Sequence, residues 1–301
     1  MIYRNVLGLI GNTPMVKINK LTGENDATVL AKLESYNVAG SLKDRMALYI
    51  IEDAEKQGLL TKDKIILEAS SGNTGIAMAM IAGVKGYKIK IVIPESVSIE
   101  RRKLIKAYGA ELILSSGEKG TGGAVELKNK LLAQDPKKYI NPDQFKNQAN
   151  IKAHYQTTGQ EILKQTAGNV DVVIVGIGTA GTGVGISRRL KEYNSNIQII
   201  AVLPELGVPI QGLRNPRELN PTHLLDKKAF DEIVEIPKEL VSKTYLVARN
   251  LAHEEGILSG MSSGAVMYIA LKKAKELGKN KTIVAILPDT GERYLSTNLF
   301  E

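Results

Sequence analysis

Short apolar runs rich in Val and Ile alternate with helical patterns along almost the whole chain, and this alternation limits the fold more than any other feature. The runs at 29–33, 65–68, 89–93, 111–114, 170–175, 197–202, 232–236 and 282–287 predict strands. Amphipathic patterns near 41–57, 74–85, 98–108, 121–134, 152–166, 182–193, 238–255 and 263–277 predict the helices between them. Strands this apolar, each followed by a helix, belong in parallel sheets buried on both faces. The expected fold class is α/β, with two domains of doubly wound, mostly parallel sheet. Loops containing Pro and Gly near 141–150 and 204–222 are the plausible places for a domain boundary or a mobile flap.

Composition excludes several kinds of function. The chain has no cysteine, so disulfides, thiolate metal sites and a cysteine nucleophile are ruled out. Its three histidines are far apart in sequence, and a metal site is not expected. The net charge of +8 comes from lysines interleaved with glutamates, and with 3 Phe and no Trp there is little to stack on bases. Nucleic-acid binding is therefore not expected. No apolar run approaches a membrane span and no basic leader opens the chain, so a cytoplasmic protein is expected.

In an open α/β sheet, ligands sit beyond the carboxyl ends of the strands. Three strand-to-helix turns stand out there. The first is Ser41-Leu42-Lys43-Asp44-Arg45. Ser41 and Asp44 have capping-box spacing, which puts Lys43 in the first turn of a helix, where the backbone field is positive. A positive field disfavours the ammonium form and makes the amine a nucleophile. In the second turn, Ser70 to Gly75, Ser71, Asn73 and Thr74 surround Gly72 at a helix start, a receptor for a carboxylate or phosphate. The third, Gly176 to Gly183, combines Gly176-x-Gly178-x-x-Gly181 with Thr179 and Thr182. With Glu205 at the end of the next strand, it also fits a dinucleotide-binding oxidoreductase. The two threonines suit a phosphate monoester better. A reactive lysine, an anion turn and a monoester cradle together suggest pyridoxal phosphate.

Seven motifs, in order, carry a resemblance: Ile10 to Pro14, Ser41 to Arg45, Ser70 to Gly75, Gln144 to Asn147, Gly178 to Thr182, Gly260 to Ala265 and Gly291 to Ser296. They resemble the cysteine synthases (O-acetylserine sulfhydrylases) of the fold-type II pyridoxal 5'-phosphate enzymes, and the match around them runs from residue 3 to residue 300. Glu100-Arg101-Arg102, the loop at Leu213-Arg214-Asn215 and Asp289 resemble the B-type, cysteine synthase M-like branch. The resemblance implies Lys43 as Schiff-base lysine and Asn73 on the ring oxygen. It implies Gly178, Thr179, Ala180, Gly181 and Thr182 around the phosphate, and Ser262, with Ser263 beside it, at the pyridine nitrogen. Ser71, Gly72, Thr74 and Gln144 would receive the substrate carboxylate, and Arg214 would face a substrate phosphate.

The implied reaction is β-replacement of O-acetylserine or O-phosphoserine by sulfide or thiosulfate through an aminoacrylate. A neutral serine at the pyridine nitrogen favours elimination over transamination. Cystathionine synthesis is the nearest alternative. The resemblance also implies a homodimer, a serine acetyltransferase partner, a smaller mobile domain at 36–146 and a larger cofactor domain of 1–35 plus 147–301. The chain departs from the family at Val38, where proline is usual, and at Ala180, which replaces a glycine. An alanine there is expected at negative φ.

Overall fold

The computed structural model describes residues 2–70, 72–218 and 222–301. Ten strands and nine α-helices form two sheets among them. The strands are β1 (Met15–Lys17), β2 (Thr28–Leu33), β3 (Ile65–Ala69), β4 (Lys88–Pro94), β5 (Glu111–Ser115), β6 (Tyr139–Ile140), β7 (Val172–Gly176), β8 (Gln198–Pro204), β9 (Glu232–Ile236) and β10 (Thr282–Leu287). The helices are α1 (Lys43–Lys56), α2 (Asn73–Lys85), α3 (Ile99–Ala107), α4 (Gly120–Gln134), α5 (Ala149–Gln156), α6 (Thr158–Gln165), α7 (Gly181–Tyr193), α8 (Val241–Glu255) and α9 (Met261–Leu277).

The larger sheet runs β1-β2-β10-β7-β8-β9 and the smaller β5-β4-β3-β6, and every pairing except β1 with β2 is parallel. The doubly wound α/β expectation is met. All eight expected strands form; the apolar side chains of β2, β3, β4, β7, β8 and β10 are largely buried by helices on both faces, while the edge strands β5 and β9 keep part of theirs exposed. β1 and β6 have three and two residues, too short to carry a period.

Two expectations need correction. The helix expected at 152–166 is two helices, broken at Thr157 (φ −117°, ψ −75°), whose hydroxyl donates to the Ala153 carbonyl at 2.6 Å. The capping box does not form either. The Asp44 carboxylate instead accepts the N–H of Ala39 at 2.5 Å, and Leu42 holds the cap position. Ser41 is drawn into a β-bridge with Asp289, and the Leu42 N–H donates to the Pro288 carbonyl at 2.9 Å. The start of α1 is therefore tied to the chain just beyond β10.

A buried ionic cluster ties the same helix to β2. Arg45 donates to both oxygens of Glu34 (2.7 and 2.8 Å) and to both of Glu161 on α6 (2.6 and 2.8 Å). Lys32 donates to Glu161 (2.7 Å), the Thr13 carbonyl (2.7 Å) and Gln165 (2.8 Å). Lys32, Glu34 and Arg45 are at most 1% exposed. Burial alone would raise the Glu161 carboxyl, but the bonds from Arg45 and then Lys32 bring it down to about 2.

Candidate active site

The carboxyl ends of β3 and β7 and the start of α1 open onto one cleft of about 400 Å³. Lys43, Asn73, Thr74, Gln144, Gly178, Thr179 and Arg214 all line it. The three turns singled out in the sequence thus converge, with α1, α2 and α7 pointing their N-terminal ends at the cleft.

Lys43 is the first residue of α1, as expected. Its side chain is partly buried and lines the cleft. Burial lowers its ammonium to about 8, while the Asp289 carboxylate acts in the opposite direction. Desolvation is thus the cause that the structure adds to the helix field invoked from the sequence. Asp289 is 1% exposed and accepts from Asn73 Nδ2 and the Tyr294 hydroxyl, both at 2.7 Å. Asn73 Oδ1 accepts from Arg293 at 2.5 Å. Asn73 is therefore held from both ends, one of them the acid that faces Lys43.

At the second turn, Ser70 Oγ accepts the N–H groups of Gly72 (3.0 Å) and Gly75 (2.9 Å), so Ser70 supplies the cap for α2. Gly72 has φ +151°, a conformation that favours glycine. The Thr74 hydroxyl donates to Gln144 Oε1 at 2.7 Å, joining two residues expected in the carboxylate receptor although 70 positions separate them. Ser71, expected in the same receptor, lies outside the described residues.

Around the third turn, Gly178 and Thr179 line the cleft, and Gly181 and Thr182 open α7. A Cβ at Gly178 would stand 3.1 Å from the Gly212 carbonyl and 4.0 Å from Lys43 Nζ, so only glycine leaves this floor open. Glu205, the acid that completed the dinucleotide-like spacing, accepts the Lys238 N–H at 3.0 Å. Ala180 contradicts the expectation of negative φ. It sits at φ +70°, ψ −14°, as the cap residue of α7. A left-handed alanine costs roughly 1–2 kcal/mol, and a glycine there would give back ~0.5–1 kcal/mol through its freer unfolded chain. Ala180→Gly should therefore raise the denaturant midpoint by the equivalent of about 0.5–1 kcal/mol at unchanged m-value.

Ser262 is buried beneath Gly212, where a Cβ on that glycine would come within 2.8 Å of its Oγ. The Oγ atoms of Ser262 and Ser263 have no partner among the described residues. Gly212 lines the cleft, which makes Ser262 the nearer of the two. Arg214 is at the rim, with Nε donating to Glu218 at 3.0 Å and its guanidinium over the Phe145 ring at 5.1 Å.

Two functional residues were not legible in the sequence. Asn150 donates to the Gln144 carbonyl (2.9 Å) and to Thr179 Oγ1 (3.0 Å), linking receptor to cradle. His154 is fully buried, bonded to Thr158 (2.9 Å) and to the Thr182 hydroxyl (3.1 Å), and burial holds it neutral. Asn150 falls in the loop expected near 141–150 and His154 within the helix pattern near 152–166, where neither gives a separate signal.

A lysine amine partly desolvated at a helix start, an open glycine cradle beside it and an orphaned serine hydroxyl below fit a pyridine ring bearing an aldehyde and a phosphate. Fold and cleft together define a pyridoxal-phosphate-dependent enzyme, and the chain belongs to that family, whose profile matches residues 6–289.

Within it, the resemblance to the cysteine synthases holds. The chain is 42% identical to the cysteine synthase of Staphylococcus aureus over 304 residues, covering 98% of this chain and 96% of the relative. Among solved structures, the cysteine synthase (OASS) of Entamoeba histolytica superposes with a TM-score of 0.92 at 39% identity, covering 100% of this chain and 91% of that one. An O-ureido-L-serine synthase superposes at 0.93 and 37% identity, covering 100% and 96%. The dinucleotide-binding reading of Gly176 to Gly181 is set aside. No helix among the described residues is long and apolar enough to cross a membrane.

Proposed function

We propose that the protein is a cysteine synthase, replacing the β-oxygen substituent of an O-activated L-serine with a sulfur nucleophile. The observation that carries this reading is the convergence of Lys43, the Thr74–Gln144 pair and the Gly178 to Thr182 turn on one cleft. Pyridoxal phosphate, when bound, supplies the electron withdrawal that makes the substrate Cα proton acidic. Lys43 would hold the cofactor, and its amine would take that proton and later return it. The amine is suited to both jobs because burial brings its pKa down to about 8, close enough to working pH for it to give and take a proton.

The N–H groups of Gly178, Thr179, Ala180, Gly181 and Thr182 would cradle the phosphate at the positive end of α7. Ser262 would meet the pyridine nitrogen as a neutral partner, and Asn73 the ring oxygen. Gly72, Thr74 and Gln144 would receive the α-carboxylate. The proposal extends to closure of the 36–146 segment over the substrate, which would keep water from the reacting carbon. The homodimer, a docking serine acetyltransferase and a cytoplasmic location belong to it on the strength of the resemblance.

The test is the visible spectrum of the cofactor-loaded protein, in which O-acetylserine should shift the band and sulfide should restore it with release of cysteine. A protein that stays colourless with pyridoxal phosphate would overturn the reading. Arg214 is the proposed selector for a phosphate-bearing substrate. Arg214→Ala should cost kcat/KM on O-phosphoserine at least about tenfold more than on O-acetylserine, the value of a charge-assisted fork. Equal small losses would remove that role. Turnover of homocysteine in place of sulfide would favour the cystathionine-forming alternative.

A further inference from the structure

Two threonine hydroxyls of the proposed phosphate cradle are held from behind by one helix face. Asn150 and His154, four residues apart on α5, are 1% and 0% exposed and meet Thr179 and Thr182 respectively. α5 comes this close because α7 has glycines at the matching spacing. A Cβ at Gly181 would run into the Asn150 amide, and one at Gly185 would stand 2.9 Å from the His154 Cβ.

The bonds on this face fix where each hydroxyl hydrogen can go. Asn150 Nδ2 donates to the Gln144 carbonyl at 2.9 Å and to Thr179 Oγ1 at 3.0 Å. A carbonyl can only accept, so the shared atom is the nitrogen, and Thr179 Oγ1 is an acceptor there. The Gly181 N–H also reaches Thr179 Oγ1, at 3.4 Å. The Thr179 hydrogen has no acceptor among the described residues and is left for a group in the cleft that Thr179 lines. At His154 the same outcome follows from Thr158. That residue is 0% exposed, and among the described residues its hydroxyl bonds only His154 Nδ1, at 2.9 Å. A buried hydroxyl hydrogen without an acceptor is costly, so Thr158 donates to Nδ1. The neutral imidazole then carries its own hydrogen on Nε2 and donates to Thr182 Oγ1 at 3.1 Å. The Thr182 hydrogen is freed in turn.

We infer that α5 is the backing of the phosphate site: Asn150 and His154 make both threonine hydroxyls donors toward a phosphate. The inference rests on the proposed function, which assigns this turn to the cofactor phosphate. Neither side chain would touch the phosphate itself; each is a positioning residue acting through a threonine.

The test compares pyridoxal phosphate with pyridoxal, which has the same ring and aldehyde but no phosphate. Cofactor-free wild type, Asn150→Ala and His154→Phe are titrated with each, and capture by Lys43 is read from the visible band. Each substitution should raise the apparent Kd for pyridoxal phosphate about tenfold, the value of one bond to a charged group, and leave that for pyridoxal within about twofold. Equal losses on both compounds would reveal damage to the cleft as a whole and overturn the inference. Unchanged affinity for pyridoxal phosphate would do the same.

The tautomer can be read without any variant. With three histidines in the chain, nitrogen NMR of the loaded protein should show the buried ring protonated at Nε2. A hydrogen on Nδ1 would make Thr182 the donor to histidine and end the assignment. If wild type captures pyridoxal but gains nothing from the phosphate, this inference falls while the lysine chemistry stands. If it captures neither compound, the functional reading falls too.

Discussion

Lys43→Ala is expected to lower kcat/KM for β-replacement by about 10²–10⁴-fold, the range lost with a positioned general base, and to leave the fold unchanged by circular dichroism. The size of the effect follows from the cleft, where no second lysine stands among the described lining residues. A residual rate within about tenfold of wild type would show that another group moves the proton. The protein freed of cofactor offers a second check. Burial holds the Lys43 ammonium near 8, against Asp289 pulling the other way. Capture of an aldehyde by this amine should therefore increase through pH 8, well below the ~10.4 of a solvated lysine. Asp289→Asn removes the group that favours the ammonium form, so the midpoint should move lower still. A midpoint near that of surface lysines would contradict the desolvation argument.

The second large effect is on stability. Arg45→Met should destabilise the protein by about 3–5 kcal/mol, because it strands Glu34 as a buried carboxylate without its cation. The measurement is the denaturant midpoint at constant m-value. The acid side of the stability curve adds a signature. The folded-state pKa of Glu161, about 2, lies below the unfolded value, so its contribution is complete above the unfolded pKa and is lost as pH falls toward 2. Arg45→Met should flatten that slope without removing it, because Lys32 still bonds Glu161 at 2.7 Å. A loss below about 1 kcal/mol would place this cluster with ordinary surface pairs.

The pattern of what was legible follows from how local each determinant is. β9 and β10 were bounded correctly because a run of alternating or continuous apolar residues is set by its own side chains. The break at Thr157 depends on one hydroxyl competing for a helix carbonyl, which leaves the apolar period intact. The three turns of the site were found because helix starts have local signatures. Their connections were not: Asn150 to Thr179, and Asp289 to Asn73, join residues 29 and 216 positions apart. Asp44 shows the limit even of local rules, since a correctly spaced capping pair was overridden by a β-bridge from beyond β10.

That bridge has a consequence for how the protein is made. β2 pairs along its whole length with β10, and Ser41 and Leu42 bond to residues 288 and 289. The strand leading to the reactive lysine and the strand that fixes it lie at opposite ends of the chain. At roughly 5–20 residues per second, about 250 residues must be synthesised after β2 before its partner exists, a wait on the order of 10–50 s. During that wait the three residues of β1 cover one edge of β2, and the edge that β10 will take stays open. A nascent chain therefore has no finished cleft to receive a cofactor until translation is nearly complete. Loss of the last strand would unmake the seat of Lys43 while leaving every residue of its own motif in place.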